Sequence, residues 1–347
     1  MKKLFLVDAF ALIFKYYYAF LGRPMRNREG MNTSVVFGFV KFLRDIQKRE
    51  RPDLLGVAFD PKGGSFRRDI FPEYKANRSE TPEDILLSIP YVKRVLDAMC
   101  IPILEVAGYE ADDVIGTLAT EAGRQGITTY MMTPDKDYGQ LVTNNVFMYR
   151  PKHTGGFEVM GIEEVKAKFD IQSPAQVIDM LGLMGDASDN IPGCPGVGEK
   201  TAQKLIAEFG SIENLLEHTD QLKGALKTKV ETNKELITFS KFLATIKIDV
   251  PIQLEMDKLV REQADEDSLR QIFEELEFRT LIDRVLKKEN SAGGVTMATG
   301  SKTATAKSAP SPLPLFPEEG GAIQGDLFAN FTGNEAGEAK KSNLETL

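Results

Sequence analysis

The chain has 347 residues, 42% of them hydrophobic and 27% charged, with a formal net charge of −8 at pH 7. This is enough for about two folded domains and an appendage. Two cysteines, Cys100 and Cys194, fit a reducing cytoplasm, and with only two histidines, His153 and His218, they are too few and too scattered for a zinc site. No apolar run reaches membrane-spanning length, and the start is too soon acidic for a signal peptide. We therefore expect a cytoplasmic protein with no membrane partner.

The first 172 residues alternate strand-like and helical stretches, which is typical of an α/β domain. Buried parallel strands are predicted at residues 4–7, 55–59 and 129–134. Helices are predicted at about residues 34–50, 85–99 and 112–125. Residues 173–288 have a helical period throughout and predict a small all-α domain. Residues 289–347 are rich in Gly, Ala, Ser, Thr and Pro and predict a disordered C-terminal tail.

Acidic residues stand at the ends of the three predicted strands, at Asp8, Asp60 and Asp135. The carboxyl ends of parallel strands meet at the edge where open α/β sheets bind ligands, so these side chains can converge. Further short acidic clusters contain Glu110, Asp112, Asp113, Asp137, Asp186 and Asp189. Carboxylates held close together need counter-charge, and an all-oxygen ligand set suits Mg²⁺. The sequence therefore predicts a pocket for several divalent ions, which is typical of phosphate chemistry.

Each acidic cluster taken alone also has a structural explanation. Asp112 and Asp113 stand where a helix is predicted to begin, and acidic residues there act as caps and dipole partners. Asp135 and Asp137 are two residues apart and are expected on one face, with Lys136 opposite. The five clusters together, three of them at strand ends, favour the metal pocket.

The acidic net charge does not exclude nucleic acid as a partner. Without the tail and the nine clustered carboxylates, acidic and basic residues are nearly balanced. Residues 66–78 interleave aromatic and basic side chains, the mix that proteins use to bind single strands. The candidate DNA contacts there are Arg67, Tyr74, Lys75 and Arg78. A solvated charged helix with a few core aromatics is the alternative explanation.

A glycine-bracketed turn opens a predicted helix early in the second domain. The candidate contacts are Gly196, Val197, Gly198, Lys200 and Thr201. Glycines let the backbone approach a phosphate, and N–H groups at a helix start point outward. The turn is similar to the helix-hairpin-helix motif, which binds the sugar-phosphate backbone without reading bases. The spacing does not fit a Walker-type phosphate loop, and a simple turn between helices is the other alternative.

The acidic clusters and the Gly196–Gly198 turn together resemble the 5′ nuclease domain of the flap endonuclease family, in the form found in bacterial DNA polymerase I. The resemblance runs from residue 1 to about residue 286 and includes every acidic position of the family pattern. It implies a PIN-like parallel sheet over residues 1–172, with a helical arch at about residues 63–88. An all-α helix-hairpin-helix domain is then expected over residues 173–288, before the disordered tail.

The resemblance also implies roles for the candidate residues. The first metal site is expected at Asp8, Asp60, Glu110 and Asp112, with Asp113 beside it. The second is expected at Asp135, Asp137, Asp186 and Asp189. Catalysis is assigned to Lys75, Arg78, Asp60 and Asp112. The implied cofactors are two or more Mg²⁺ ions, for which Mn²⁺ can substitute, and K⁺ at the hairpin.

The implied activity is hydrolysis of phosphodiesters as a 5′→3′ exonuclease and flap endonuclease. The implied partners are DNA with a 5′ flap, nick or RNA primer end, as in Okazaki fragment processing, nick translation and repair. The protein is expected to be a monomer in the bacterial cytoplasm, associated with the nucleoid, with a polymerase domain in cis if the chain is truncated. A non-catalytic junction-binding module could lack carboxylates, and a PIN-type ribonuclease would lack the hairpin; these are the alternative functions.

The tail contains one further short pattern. Gln324, Leu327 and Phe328 are similar to the Gln-x-x-Leu-Phe peptides that bind the bacterial sliding clamp. A chance apolar spot in a linker is the alternative for so short a pattern.

Overall fold

A six-stranded sheet forms the centre of the first domain in this computed structural model, which describes residues 2–152 and 156–283. The strands in these ranges are β1 (Lys3–Asp8), β2 (Leu54–Ala58), β3 (Ile103–Leu104), β4 (Thr128–Met132), β5 (Val146–Pro151) and β6 (Phe157–Met160). Their order is β3-β2-β1-β4-β5-β6, and neighbours are parallel except β5 and β6. The three predicted strands are confirmed as β1, β2 and β4, with β1 between the other two.

The first domain contains six α-helices in the described ranges, three of which are predicted from the sequence. They are α1 (Ala9–Ala19), α2 (Ser34–Arg49), α3 (Phe66–Ile70), α4 (Glu83–Ala98), α5 (Ala111–Arg124) and α6 (Ile162–Phe169). The bounds of α2, α4 and α5 lie within two residues of the predicted ones. The predicted arch, residues 63–88, contains the short helix α3, a series of turns and the beginning of α4.

Alternate residues of β1 enter the two apolar cores that cover the sheet. Leu4 and Leu6 pack in the core that contains α5 and continues into the second domain. Phe5 and Val7 pack in the other core, with α1, α2 and α4. Because both faces of the sheet are covered, residues 4–7 of β1 and all of β2 lack charged or polar side chains, as expected for a covered parallel sheet.

The second domain is helical, as predicted. Its helices in the described ranges are α7 (Val177–Met184), α8 (Glu199–Phe209), α9 (Ile212–Glu217), α10 (Gly224–Thr232), α11 (Lys234–Ala244), α12 (Met256–Leu259), α13 (Glu266–Glu275) and α14 (Arg279–Leu281). The chain then returns to the first domain, because Leu269, Ile272 and Phe273 of α13 pack in the core of α2 and α4. The last described helices of the predicted second domain therefore cover the first.

Part of the sequence lies outside the described residues. This applies to the predicted tail, residues 289–347, and with it to Gln324, Leu327 and Phe328. Within the described ranges, no helix combines the length and the apolar character needed to cross a bilayer.

Helices α1 and α2 approach closely at Gly38. A Cβ built on Gly38 would lie 2.2 Å from Cδ1 of Tyr16, whose side chain is buried. Adding atoms to a packed core costs about 1–3 kcal/mol, whereas alanine favours a helix interior over glycine by roughly 0.5–1 kcal/mol. We expect the clash to outweigh the helix preference, so that Gly38→Ala lowers the free energy of unfolding in urea.

Gly22→Ala is the matched control, since a Cβ at Gly22 would meet nothing within 4 Å. Equal urea midpoints for the two variants would contradict the packing of α1 on α2.

Candidate active site

Eight of the nine predicted carboxylates gather beyond the carboxyl ends of the central strands. Asp8 ends β1, and Asp60 and Asp135 follow β2 and β4 within three residues. Asp8 is close enough to Asp60 and Asp135 for their charges to raise its pKa. The full set is Asp8, Asp60, Glu110, Asp112, Asp135, Asp137, Asp186 and Asp189.

Backbone amides fix the orientation of the carboxylates at the strand ends. Oδ1 of Asp8 caps α1 by accepting a hydrogen bond from the amide of Ala11, at 3.1 Å. Oδ1 of Asp60 accepts from the amide of Ala111, at 2.8 Å. Oδ1 of Asp135 accepts from the amide two residues later, at 2.9 Å, and caps a 3-10 helix. Helix starts therefore hold these acidic groups in place.

A tight loop from the second domain brings Asp186 and Asp189 to the same place. Asp186 and Ile191 exchange two backbone hydrogen bonds, of 2.9 and 2.8 Å, which close the loop. Gly185 has a φ of 74°, and a Cβ there would lie 2.5 Å from the carbonyl oxygen of Ile191. Only glycine allows this approach without displacing the backbone. Ser188 then donates two hydrogen bonds to Oδ1 of Asp186, at 2.8 and 2.6 Å.

Two basic side chains of the predicted arch point into the carboxylates. Nζ of Lys75 lies 2.9 Å from Oε1 of Glu110 and 3.7 Å from Oδ2 of Asp189. Nη2 of Arg78 lies 2.5 Å from Oδ1 of Asp189. The structure thus brings both predicted catalytic cations to the predicted metal ligands.

The turn that carries these cations is fastened to the loop of the second domain. The amide of Lys75, whose φ is 57°, donates to the carbonyl of Asp189 at 2.9 Å. Nδ2 of Asn77 donates to the carbonyl of Ala187 at 2.6 Å. Nδ2 of Asn190 donates in the opposite direction, to the carbonyl of residue 73, at 2.7 Å. Residues 73–77 therefore pack against the loop of the second domain as well as against the edge of the sheet.

Lys136 and Tyr138 were not identified as site residues from the sequence. The prediction placed Lys136 opposite Asp135 and Asp137, but the segment forms a 3-10 helix, Lys136–Leu141, instead of an extended chain. Nζ of Lys136 consequently lies 2.9 Å from Oδ2 of Asp186 and is a third cation of the site. Tyr138 is 1% exposed, with four of the carboxylates acting on its hydroxyl. The sequence signal that could have identified Tyr138 is its spacing of three residues from Asp135, because residues three apart in a 3-10 helix lie on the same side.

Burial and mutual repulsion raise the pKa of most of these carboxylates. The pKa of Asp8 is raised to about 7, first by burial and then by Asp60. Burial is also the largest cause of the raised pKa values of the other members, which are Asp60, Asp112, Asp135 and Asp137. For Glu110 and Asp189, burial opposes ionisation, but the positive charge of Lys75 and its neighbouring arginines holds the pKa below its usual range. Full ionisation of the eight carboxylates would therefore exceed the positive charge of Lys75, Arg78 and Lys136.

The carboxylates have the chemistry, although not the closed geometry, of a metal centre. In residues 2–152 and 156–283, no three acidic, histidine or cysteine side chains are arranged around one metal position. However, Oδ1 of Asp137 is buried without a hydrogen-bond partner in that part of the chain, and full ionisation of the carboxylates would need further positive charge. An all-oxygen donor set with these properties fits hard divalent cations. The resemblance divides the candidate ligands into two groups: Asp8, Asp60, Glu110 and Asp112, and Asp135, Asp137, Asp186 and Asp189.

Asp113 and Arg67 require a correction, because they pair with each other inside the protein. The Asp113 carboxylate is fully buried and accepts two hydrogen bonds from Arg67, both 2.8 Å long, and one from the amide of Lys247. Arg67 is 2% exposed and also donates to the carbonyls of Leu243 and Thr245. Asp113 is therefore not available as a metal ligand, and Arg67 is not available as a DNA contact.

Tyr74 is also buried, although it was predicted to contact DNA. Its side chain is 3% exposed, and its hydroxyl lies 3.0 Å from Oε2 of Glu110 and 3.2 Å from Oδ2 of Asp189. The ring supports Lys75, whose Nζ lies 4.9 Å from the ring centroid. Tyr74 thus positions the carboxylates and Lys75 and offers no free face to a base.

The predicted hairpin lies at the start of α8. Gly198 occupies the N-cap position of α8, Lys200 is exposed, and Val197 is buried and anchors the turn. Thr201 is half-buried in the first turn of α8. Nζ of Lys229 donates to the carbonyl of Gly196 at 3.2 Å. In the hairpin, where K⁺ is expected, the Gly196 carbonyl therefore already has a cationic partner.

Two family models match consecutive parts of the chain. A 5′-3′ exonuclease N-terminal resolvase-like domain matches residues 3–170, and a 5′-3′ exonuclease C-terminal SAM fold matches residues 172–267. DNA polymerase I of Bacillus subtilis is 41% identical over 82% of this chain and 32% of its own length. DNA polymerase I of Mycobacterium tuberculosis H37Rv is 34% identical over 98% of this chain and 36% of its own length. The chain thus spans about a third of the length of these relatives.

Solved structures share the fold at lower identity. T5 5′-exonuclease with bound zinc has a TM-score of 0.60 and 20% identity, covering 80% of this chain and 99% of that one. The catalytic core of Rad2 in complex with DNA substrate has a TM-score of 0.56 and 17% identity, covering 83% and 92%. The expected fold, a parallel sheet followed by a helical domain, is confirmed. From the two family matches and the polymerase relatives, we conclude that this chain belongs to the 5′-3′ exonuclease family of nucleases.

Proposed function

We propose that the chain hydrolyses phosphodiesters at the 5′ ends of nucleic acid strands, both as an exonuclease and at flap junctions, with divalent metal ions. One observation carries the proposal: eight carboxylates meet at the sheet edge directly beside Lys75 and Arg78. Membership of the 5′-3′ exonuclease family supports it. So does T5 5′-exonuclease, a protein of the same fold that was crystallised with divalent metal ions.

The carboxylates and cations have separate roles in this proposal. Each of the two sets of four carboxylates would hold one Mg²⁺ ion, or Mn²⁺ in its place. The ions would activate water and stabilise the leaving oxygen. The side chains of Lys75 and Arg78 are 18% and 51% exposed, so both can reach a phosphate at the rim of the cluster. There they would offset the negative charge that develops on the phosphoryl oxygens. No side chain has to act as a nucleophile.

The hairpin would hold the DNA backbone on the second domain. The N-terminus of α8 and the exposed Lys200 offer backbone N–H groups and a positive charge to phosphates. K⁺ at the Gly196 carbonyl is part of the proposal only if Lys229 releases that carbonyl, because its ammonium group now donates to it.

The natural substrate would be DNA with a 5′ flap, a nick or an RNA primer end. The relatives named DNA polymerase I and the Rad2 core, which was crystallised with DNA substrate, support this choice. The corresponding processes are Okazaki fragment processing, nick translation and repair, with a polymerase domain in cis. We further propose that the chain acts as a monomer in the bacterial cytoplasm, associated with the nucleoid.

A 5′-labelled double-flap DNA substrate tests the activity directly. The purified chain should release the labelled flap with Mg²⁺ and leave it intact with EDTA. A junction-binding module would bind this substrate without cutting it. A PIN-type ribonuclease would cut an RNA flap and spare the DNA flap, and either result would refute the proposal.

The charge of Asp8 links metal use to stability. Asp8→Asn keeps the cap on α1, since Asn caps a helix as well as Asp does. The Asp8 pKa rises from 3.8 to about 7 on folding because of burial and Asp60, so the wild type loses stability as pH rises through this window. Without metal, Asp8→Asn should therefore exceed the wild type in thermal stability at about pH 8 and equal it near pH 3, below the unfolded pKa. With Mg²⁺, we expect cleavage to fall by at least about 100-fold.

Asp265→Asn is the matched control. Asp265 caps α13 by accepting from the amides of Asp267 and Ser268, and it is exposed and outside the cluster. Its pKa is lowered, by the hydrogen bonds from Ser268, so the variant should gain no stability as pH rises and should cleave normally. A gain in both variants would disprove the link between Asp8 and the cluster.

Lys75 should contribute more to cleavage than to binding. We expect Lys75→Ala to lower the single-turnover cleavage rate about 10²–10³-fold, as for loss of one group that stabilises developing charge. Flap affinity should change far less, because the hairpin and Arg78 remain. Lys258→Ala, on an exposed lysine of α12 that pairs with Glu255, should change neither quantity. Equal losses of rate and affinity in Lys75→Ala would instead assign Lys75 to binding.

The tail pattern leads to a separate experiment on the sliding clamp. If Leu327 and Phe328 bind an apolar pocket, the double change Leu327→Ala and Phe328→Ala should abolish binding of the full chain to immobilised clamp. Flap cleavage without clamp should be unaffected. Undiminished clamp binding by the double variant would eliminate this partner site.

A further inference from the structure

Tyr138 buries an unpaired hydroxyl among the carboxylates. Its side chain is 1% exposed and lies in the 3-10 helix Lys136–Leu141, directly after Asp137. Within the described part of the chain, the hydroxyl has no hydrogen-bond partner. An unpaired buried hydroxyl is unfavourable, and such groups in native proteins call for an explanation.

The surroundings of the Tyr138 hydroxyl are acidic. The charges that act on it belong to Asp8, Asp112, Asp135 and Asp60, in decreasing order. A tyrosine hydroxyl is protonated at neutral pH and can donate one hydrogen bond, so it would gain from an acceptor. None of these carboxylates accepts a hydrogen bond from it. The hydroxyl therefore lies near these carboxylates but beyond hydrogen-bond distance of them.

Tyr138 lies near members of both groups of candidate ligands. Asp8, Asp60 and Asp112 belong to the first group and Asp135 to the second. The residue before Tyr138, Asp137, has a second buried atom without a partner, Oδ1. One short helix thus presents an unpaired donor and an unpaired acceptor at a site rich in carboxylates. Water alone could supply partners but would not offset the charge of ionised carboxylates, whereas a hydrated cation supplies both.

We infer that Tyr138 is a positioning residue whose hydroxyl donates a hydrogen bond to a water molecule of a hydrated divalent cation held by the carboxylates. The inference rests on the proposed metal-dependent function. Mg²⁺ keeps several of its waters when bound to proteins, so an acceptor for Tyr138 would arrive with the ion. Partners of this outer kind orient a metal centre, and their loss typically costs 10–100-fold in metal affinity.

Tyr138→Phe tests the inference, because it removes the hydroxyl and keeps the ring. The full chain is titrated with Mn²⁺ and with Mg²⁺ by calorimetry, and its thermal stability is measured in EDTA. We expect metal affinity to fall about 10–100-fold. Stability in EDTA should be unchanged or higher, because an unpaired buried hydroxyl has been removed. A role of the ring in packing alone, which phenylalanine preserves, would leave metal affinity as it is.

Tyr149→Phe is the matched control. Tyr149 is buried to a similar degree, but its hydroxyl donates to Oε1 of Glu50 at 2.9 Å, away from the cluster. This variant should lose stability in EDTA and bind metal like the wild type.

Two results would overturn the inference: equal metal affinity in Tyr138→Phe and the wild type, or a loss of stability in EDTA like that of Tyr149→Phe. The second result would mean that the hydroxyl has a partner in the metal-free protein. If the wild type itself binds neither ion, the proposed metal-dependent function fails first, which separates the two failures.

Discussion

The buried ion pair between Arg67 and Asp113 holds the two domains and the active site in one arrangement. All five N–H groups of Arg67 have acceptors: the carboxylates of Asp113 and Glu110, and the carbonyls of Leu243 and Thr245 at the end of α11. Removing one partner of such a pair leaves an uncompensated buried charge and costs about 3–5 kcal/mol. Arg67 therefore connects the end of α11 in the second domain to Glu110 of the candidate active site.

The site itself has the opposite electrostatic character. Asp113 has a full set of hydrogen bonds, whereas the neighbouring Asp112 has its pKa raised by burial and by Glu110. Lys75, Arg78 and Lys136 would compensate only part of the negative charge of the fully ionised carboxylates. Proteins accept such local conflicts at functional sites and offset them elsewhere. Asp113, which belongs to the stable pair, directly follows Asp112, which belongs to the carboxylate cluster, in helix α5. The pair therefore fixes the helix that carries the strained carboxylate.

How much the sequence predicts depends on whether the signal is local. The sequence predicts that Asp8, Asp60 and Asp135 lie close together, because each follows an apolar strand. The ends of parallel strands meet at the same edge of the sheet. Asp112 and Asp113 could not be told apart, since only the fold brings Arg67 to Asp113. The mix of aromatic and basic residues at 66–78 does not show which side chains face solvent and which face the interior. Arg67 and Tyr74 were therefore predicted as DNA contacts, although both are buried.

The cap that Asp8 places on α1 limits which residues position 8 can hold. A helix cap favours Ser, Thr, Asn or Asp, whereas the charged oxygen ligand proposed for a divalent cation is Asp or Glu. Only Asp belongs to both sets. Asp135, which caps the 3-10 helix, is subject to the same pair of requirements. The residues tolerated at these two positions therefore have to satisfy both requirements, and the preference for a short cap side chain already disfavours Glu, the substitution that preserves charge.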